Sequence, residues 1–160
     1  MSATLQMVGL RPVRSSDREF LLAVYASTRE AELALVDWSD EQKDAFVRHQ
    51  FEAQTAHYLE HYTGASFKVI EVDGEPAGRL YVARWEDEIR VMDIVLLPEH
   101  RGTGIGTRLL RDLLDEAEAS GKKVTVHVEL NNPALRLYQR LGFRPVAERG
   151  VCLLLETRPS

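Results

Sequence analysis

The run Leu97-Pro98-Glu99-His100-Arg101-Gly102-Thr103-Gly104-Ile105-Gly106-Thr107-Arg108 joins an apolar segment to the start of a helical stripe. Its three glycines sit at alternate positions. With no side chains in the way, backbone N–H groups can converge on one ligand. The helix start that follows brings unsatisfied donors and a partial positive charge. Arg101, Arg108 and Arg111 add formal positive charge. This combination suits a phosphate or pyrophosphate. The competing reading is a helix-entry turn whose glycines serve tight geometry alone. Two nucleotide motifs do not apply. A P-loop ends in Gly-Lys-Ser/Thr, and no lysine stands here. The dinucleotide fingerprint needs Gly-x-Gly-x-x-Gly, whereas the spacing is Gly102-x-Gly104-x-Gly106, and the run comes after hairpin-connected strands.

Other reactive side chains are sparse. His57 and His61, with Glu60 between them, have zinc-ligand spacing on a helix, but no acidic ligand helix follows. A solvated surface pair is the expectation, and no metal is expected. Cys152 is the single cysteine, so no intrachain disulfide can form. It lies in the last apolar strand and reads as a buried small hydrophobe.

Composition frames these residues. The chain has 160 residues, 44% hydrophobic and 28% charged, which is ordinary globular usage and fits one domain spanning 1–160. A core of this size needs no disulfide or structural metal. The formal charge of −5 argues against a nucleic-acid or anionic-membrane partner. No apolar run reaches the roughly 18 residues of a membrane span, and no secretion signal opens the chain. A cytoplasmic location is expected.

The elements that must hold the glycine turn follow from periodicity. Residues 8–13 read as a strand. Ser16 with Glu19, and Ser39 with Gln42, are capping-box patterns for two helices, the second over 40–62 with Val47, Phe51, Tyr58 and Tyr62 near one face. Phe67 to Val72, Ala77 to Arg84 and Ile89 to Leu97 read as strands, joined by turns at Asp73-Gly74 and Trp85 to Glu88. Arg79 and Arg84 alternate with apolar residues and are expected to face outward. Trp85 reads as a lid or as packing. Ile105, Leu109, Leu113 and Ala117 step by four, a helical stripe closed by Gly121. Val124, Val126 and Val128 alternate as a strand. Asn132 as N-cap, Pro133 at the first helical position and Gly142 past the end bracket a short helix. A hairpin over 143–157 closes the chain. The fold class is α/β: a mixed central sheet of about seven strands flanked by about four helices.

Arg101-Gly102-Thr103-Gly104-Ile105-Gly106 resembles the Arg/Gln-x-x-Gly-x-Gly/Ala signature of the GNAT superfamily of acetyl-CoA-dependent N-acetyltransferases. Asn131-Asn132-Pro133-Ala134, then Tyr138 and Gly142-Phe143, is similar to that family's second signature. The resemblance implies acetyl-CoA as cosubstrate. It implies coenzyme A contacts at Arg101, Gly102, Thr103, Gly104, Ile105, Gly106, Thr107, Asn131, Ala134 and Tyr138, and at the backbone of Leu96 and Leu97, where the strand is expected to splay. Acetyl transfer to an amine needs a base, an oxyanion partner and a proton for the thiolate. The resemblance puts the Tyr138 phenol near the thioester sulfur as general acid. Its spacing with Leu135 and Leu141 keeps a core tyrosine open. Asp93, sharing a strand face with Val91, Val95 and Leu97, is the candidate base, because a carboxylate on a covered face suits proton uptake near neutrality. A structural anchor or a water chain stays open for it. Trp38, Gln50 and Gln54 fall in the region that builds the acceptor site in this family. Trp38 also fits a staple before Ser39. The expected partner is a small-molecule or peptide amine, with a homodimer left open. The alternative is a non-catalytic acyl-CoA-binding or sensor module.

Overall fold

The computed structural model describes residues 6–130 and 132–159. Seven strands form one mixed sheet in the order β1-β2-β3-β4-β5-β7-β6: β1 Val8–Pro12, β2 Ser66–Val72, β3 Glu75–Arg84, β4 Glu88–Leu96, β5 Lys123–Glu129, β6 Arg144–Arg149 and β7 Cys152–Thr157. The helices are α1 Arg18–Ser27, α2 Glu30–Leu33, α3 Asp40–His61, α4 Ile105–Ser120 and α5 Leu135–Arg140. The single turn α2 is the one addition to the four expected. By contact density the chain divides into two compact units, Met1–Leu80 with Val95–Arg101, and Tyr81–Ile94 with Gly102–Ser160. The division falls inside β3 and β4.

In the first unit, β1 pairs antiparallel with β2, from Val8↔Val72 to Pro12↔Lys68. Asp73 and Gly74 both take positive φ, 51° and 83°, as a tight hairpin turn requires. Leu21, Leu22 and Tyr25 of α1 pack with Val47 and Phe51 of α3. The Ser39–Gln42 capping box forms with both hydrogen bonds: the Gln42 N–H donates to Ser39 Oγ at 3.1 Å, and the Ser39 N–H to Gln42 Oε1 at 2.9 Å. The expected Ser16–Glu19 box does not form. A 3-10 turn, Ser15–Asp17, precedes α1, and buried Asp17 takes the capping role instead. Its carboxylate accepts from the Arg14 N–H at 2.7 Å and from Arg11 Nη1 and Nη2, each at 2.8 Å. A charge-assisted fork outcompetes a neutral serine hydroxyl. Hydrogen bonding to Arg11 holds the Asp17 carboxyl down at about 2.

Gly78 on β3 has a packing requirement that its sequence context does not reveal. A Cβ built there would lie 2.1 Å from the Val95 carbonyl oxygen of β4. The next pairing along, the Leu97 N–H donated to the Ala77 carbonyl at 2.8 Å, holds the two backbones together.

In the second unit, β4 and β5 run parallel from Glu88↔Lys123 to Val91↔Val126. β7 pairs antiparallel with β5 and with β6, with a bulge between Pro145 and Ala147. α4 buries Ile105, Leu109, Leu110, Leu113 and Ala117 and ends at Gly121 with φ 69°. α5 starts at Leu135 rather than Pro133. Asn132 Oδ1 accepts from the Ala134 N–H at 2.9 Å, and the Asn132 carbonyl from the Leu135 N–H at 3.0 Å. The asparagine therefore shapes a turn ahead of the helix instead of capping it. Arg84 faces solvent as expected and pairs with Glu116 at 2.6 Å. Trp85 packs under the Arg90 guanidinium, 5.3 Å from the ring centre. Arg90 also donates to Thr125 Oγ1 at 2.6 Å and pairs with Glu88 at 2.9 Å.

Two measurements check these supports. Asp17→Asn should lower unfolding free energy at pH 7 by about 1.5–3 kcal/mol, the usual loss for hydrogen bonds to a charged group. Because the folded carboxyl ionises at about 2 against an ordinary 3.8, the wild-type advantage is complete above about pH 4 and fades as pH falls toward 2. Urea titrations of both proteins across that range read the convergence directly. Gly78→Ala should cost about 1–3 kcal/mol by forcing β3 from β4. A variant melting with the wild type would mean that the backbones part without strain.

Candidate functional site

The glycine turn leads directly into α4. After a 3-10 turn at Pro98–His100, Gly102 and Gly104 adopt φ of 73° and 84°, values that side chains resist. A Cβ at either glycine would meet nothing within 4 Å, so the backbone angle, and not crowding, calls for glycine. Gly104 is the N-cap of α4. It supplies no side-chain cap, and no acidic residue stands in the first turn. Helices commonly satisfy their leading N–H groups with a Ser, Thr, Asp or Asn side chain. Here that partner is missing beside an exposed loop, which is the arrangement an anion can fill. Ile105 is buried, so it can meet a ligand only through its backbone; Thr103 is exposed, and Gly106 and Thr107 are half-buried. Arg108 and Arg111 are exposed on α4. The Arg101 guanidinium is bound within the first unit: Nε donates to the Leu96 carbonyl at 3.0 Å and Nη2 to Ser27 Oγ at 3.3 Å. The Leu97 N–H is donated to the Ala77 carbonyl, which removes one of the two amides expected to meet a ligand.

In the second unit, Tyr138 on α5 is buried to 5% exposure, its ring edge-on to Phe143 with centroids 5.5 Å apart. Burial, and after it the charge of Asp93, push the phenol above the ordinary tyrosine range. Tyr138 therefore keeps its proton at any working pH. Tyr138 is thus a core residue whose phenol stays protonated. Asp93 is half-buried in β4, not enclosed as expected of a carboxylate on a covered face. Ala134 sits at the N-cap of α5, and Asn131 lies outside the described residues.

A titratable group that the sequence reading passed over lies on β5. His127 directly follows the last β4–β5 ladder pair, Val91↔Val126. Thr125, two residues before it on the same face, is 2% exposed, whereas His127 is exposed. Desolvation, then the charges of Arg90 and Arg149, push its imidazole below the ordinary histidine value against a smaller opposing effect of Glu88. The signal was present: a histidine alternating with Val124, Val126 and Val128 must face away from the valine side.

Two of the three expected acceptor residues come together in the first unit. Gln50 Oε1 accepts from the Tyr25 hydroxyl at 3.1 Å, and Gln54 Oε1 from Arg79 Nη2 at 2.8 Å. Arg79 is 2% exposed, so the outward-facing expectation for it is wrong. It turns toward α1 and α3, where it donates to Gln54 and its guanidinium lies 5.9 Å from the Tyr25 ring centre. Arg29 Nε also donates to the Tyr25 hydroxyl at 3.2 Å. Trp38 does not join this group. It packs edge-on against Phe46 at 5.2 Å, near the start of α3 and away from Gln50 and Gln54. A separate groove of about 460 Å³ between α1, α2 and α3, floored by Leu22, Ala26, Leu33 and Val47, includes none of the three. His57 and His61 stack at 4.5 Å, and no group of three potential metal ligands occurs among the described residues. Cys152 is half-buried, not buried, because it starts its strand.

Comparison with known proteins places this geometry. Residues 30–143 match the Acetyltransferase (GNAT) family. A protein of Bacillus subtilis (strain 168), provisionally named a ribosomal protein bS18-alanine N-acetyltransferase, is 33% identical over 107 residues, 64% of this chain and 64% of its own length. The L-amino acid N-acyltransferase MnaT of Escherichia coli (strain K12) is 35% identical over 119 residues, 69% of this chain and 66% of its own. The chain thus spans just under two thirds of the length of these relatives. Among solved structures, the PaiA N-acetyltransferase of Thermoplasma acidophilum in complex with coenzyme A has the same fold, with a TM-score of 0.72 at 17% identity over 95% of this chain and 99% of that one. By the extent of the family match, the chain belongs to the GNAT acetyltransferase family.

Proposed function

We propose that this chain transfers an acetyl group from acetyl-CoA directly to a primary amine. The observation that carries the reading is the α4 N-terminus, uncapped, free of acidic residues and preceded by two left-handed glycines. The residues present fit the pyrophosphate of acetyl-CoA: backbone N–H groups of Gly104 to Thr107 bind it, and Arg108 supplies charge from the exposed side of α4. The names of the two relatives support an amine of a small molecule, amino acid or protein as acceptor. No helix among the described residues is long and apolar enough to cross a membrane. We read the enzyme as cytoplasmic, as one functional domain over 1–160, and as acting without nucleic acid, with a homodimer as the form to test first.

The reaction imposes a proton inventory. A primary ammonium has three N–H bonds and the amide product has one, so two protons leave the nitrogen. One ends on the coenzyme A thiol and the other in solvent. In this reading Asp93 takes the proton released as the nitrogen–carbon bond forms, and Tyr138 hydrogen-bonds the sulfur as the carbon–sulfur bond breaks. A thiol ionises near 8.5, below the raised phenol, so the phenol first acts as a hydrogen-bond donor. Once Asp93 has taken a proton, its charge no longer pushes the phenol up, and transfer to the thiolate becomes easier. Acid and base are thereby coupled through their own charges.

A thiol-release assay over a panel of amines, beside calorimetry with acetyl-CoA, tests the reading. Gly104→Asp should fold with some loss of stability, because aspartate is among the side chains that visit left-handed φ, yet lose acetyl-CoA binding as its carboxylate fills the anion's place. Wild-type affinity in that variant would remove the turn from the site. Tyr138→Phe should lower turnover roughly 10- to 1,000-fold with acetyl-CoA affinity nearly unchanged. Binding without thiol release by the wild type on any amine would leave an acyl-CoA-binding module instead of an enzyme.

A further inference from the structure

Two of the chain's five histidines, His57 and His61, stand one turn apart at the end of α3. A residue and its fourth successor share one face of a helix, so both side chains reach the same patch of surface. Both are exposed. Their ring centres lie 4.5 Å apart. The rings of Tyr58, at 6.1 Å, and Tyr62, at 6.3 Å, flank His57 and narrow the positions its imidazole can take.

The separation of the two rings has chemical meaning. A metal ion sits about 2.0–2.1 Å from an imidazole nitrogen that binds it. Two such rings at right angles around one ion have centres about 4.5 Å apart, and at the tetrahedral angle about 5.2 Å apart. The observed spacing matches neighbouring corners of a square or an octahedron, the arrangement that copper(II) and nickel(II) take. Rotation of the rings within their present places is enough to aim one nitrogen of each at a shared ion.

The local charge admits a dication. The C-terminal end of a helix carries partial negative charge. Glu60 stands beside His61, its carboxylate 4.0 Å from His61 Nε2. No lysine or arginine occurs from His49 to Phe67. Arginines of other elements meet α3 further back, Arg18 at Glu52 and Arg79 at Gln54.

We propose that His57 and His61 form a two-point site for an exchangeable divalent transition-metal ion of the copper(II) or nickel(II) class. Each ring gives one nitrogen lone pair, and water fills the remaining positions. Resident structural and catalytic sites use three or four protein ligands, so a site with two loads and unloads with the free ion. Glu60 lends charge without having to be a ligand. The bound ion ties residue 57 to residue 61 and holds the last turn of α3 closed. The site is independent of acetyl transfer and can be tested without any acceptor amine.

The test uses the untagged full chain and nickel chloride in a buffer that does not chelate. Calorimetry should show binding by the wild type. His57→Gln and His61→Gln should each weaken it roughly 10- to 100-fold, because the second contact is lost and a lone imidazole remains. His49→Gln, about two turns before His57, should bind as the wild type does. His61→Gln combined with Leu59→His keeps the number of histidines but sets the two rings on opposite flanks of the helix. Leu59 is 65% exposed and tolerates the change, and affinity should stay low. Nickel should slow hydrogen exchange at the amides of 58–62 in the wild type and not in His57→Gln. Melting curves without metal confirm that each variant folds. The proposal is overturned if the wild type binds no nickel, or if either single glutamine variant at 57 or 61 keeps full affinity. It is equally overturned if His49→Gln loses as much as they do, if the displaced histidine restores binding, or if nickel leaves exchange at 58–62 unmoved in the wild type.

Discussion

Backbone N–H groups at the head of a helix cannot find partners within that helix, and a folded chain must satisfy them somehow. At the start of α3 the chain does so with its own side chains, through Ser39 and Gln42. At the start of α4 it does not. Gly104 stands where a capping side chain would be, and the first turn carries no carboxylate to compete for the positive end of the helix. The apolar stripe of α4 fixes that end in place, since Ile105, Leu109, Leu110, Leu113 and Ala117 are all buried. One element therefore has two jobs: its flank builds the core of the second unit, and its uncapped end presents donors to solvent.

The chemistry around β5 depends on the same economy of cover. Tyr138 is closed off on α5, and burial is the first cause of its retained proton. His127 alternates with the buried valines of β5 and is exposed, with desolvation the first cause pushing its imidazole below the ordinary histidine value. Asp93 is close enough to Tyr138 for its charge to matter, yet only half-buried.

Much of the scaffold was legible from residue order because local signals there agree with burial. The Ser39–Gln42 box, the Asp73-Gly74 turn, the stripe of α4 and the valines of β5 all fold as their patterns imply. The misreadings share a cause: a distant partner overrode a local preference. Ser16 and Glu19 fit a capping box, but Arg11, brought alongside by β1, made Asp17 the stronger acceptor. Asn132 looked like a helix cap, and its side chain bent the chain into a turn first. Arg79 alternates with apolar residues as an outward-facing arginine does, but Gln54 and Tyr25 gave it a polar place inside. His127 had the clearest pattern of all.

The bulge in β6 has a bearing on how copies of this protein meet one another. β6 and β1 are the two outer strands of the sheet. An outer strand with free N–H and C=O groups invites another strand to join it. β6 breaks its row at the bulge between Pro145 and Ala147, and Pro145 has no N–H to offer. β1 is five residues long and ends at Pro12, which likewise has none. Neither margin presents a long, regular template. Growth of the sheet from molecule to molecule, the first step toward fibrous aggregation, is blunted at both outer strands.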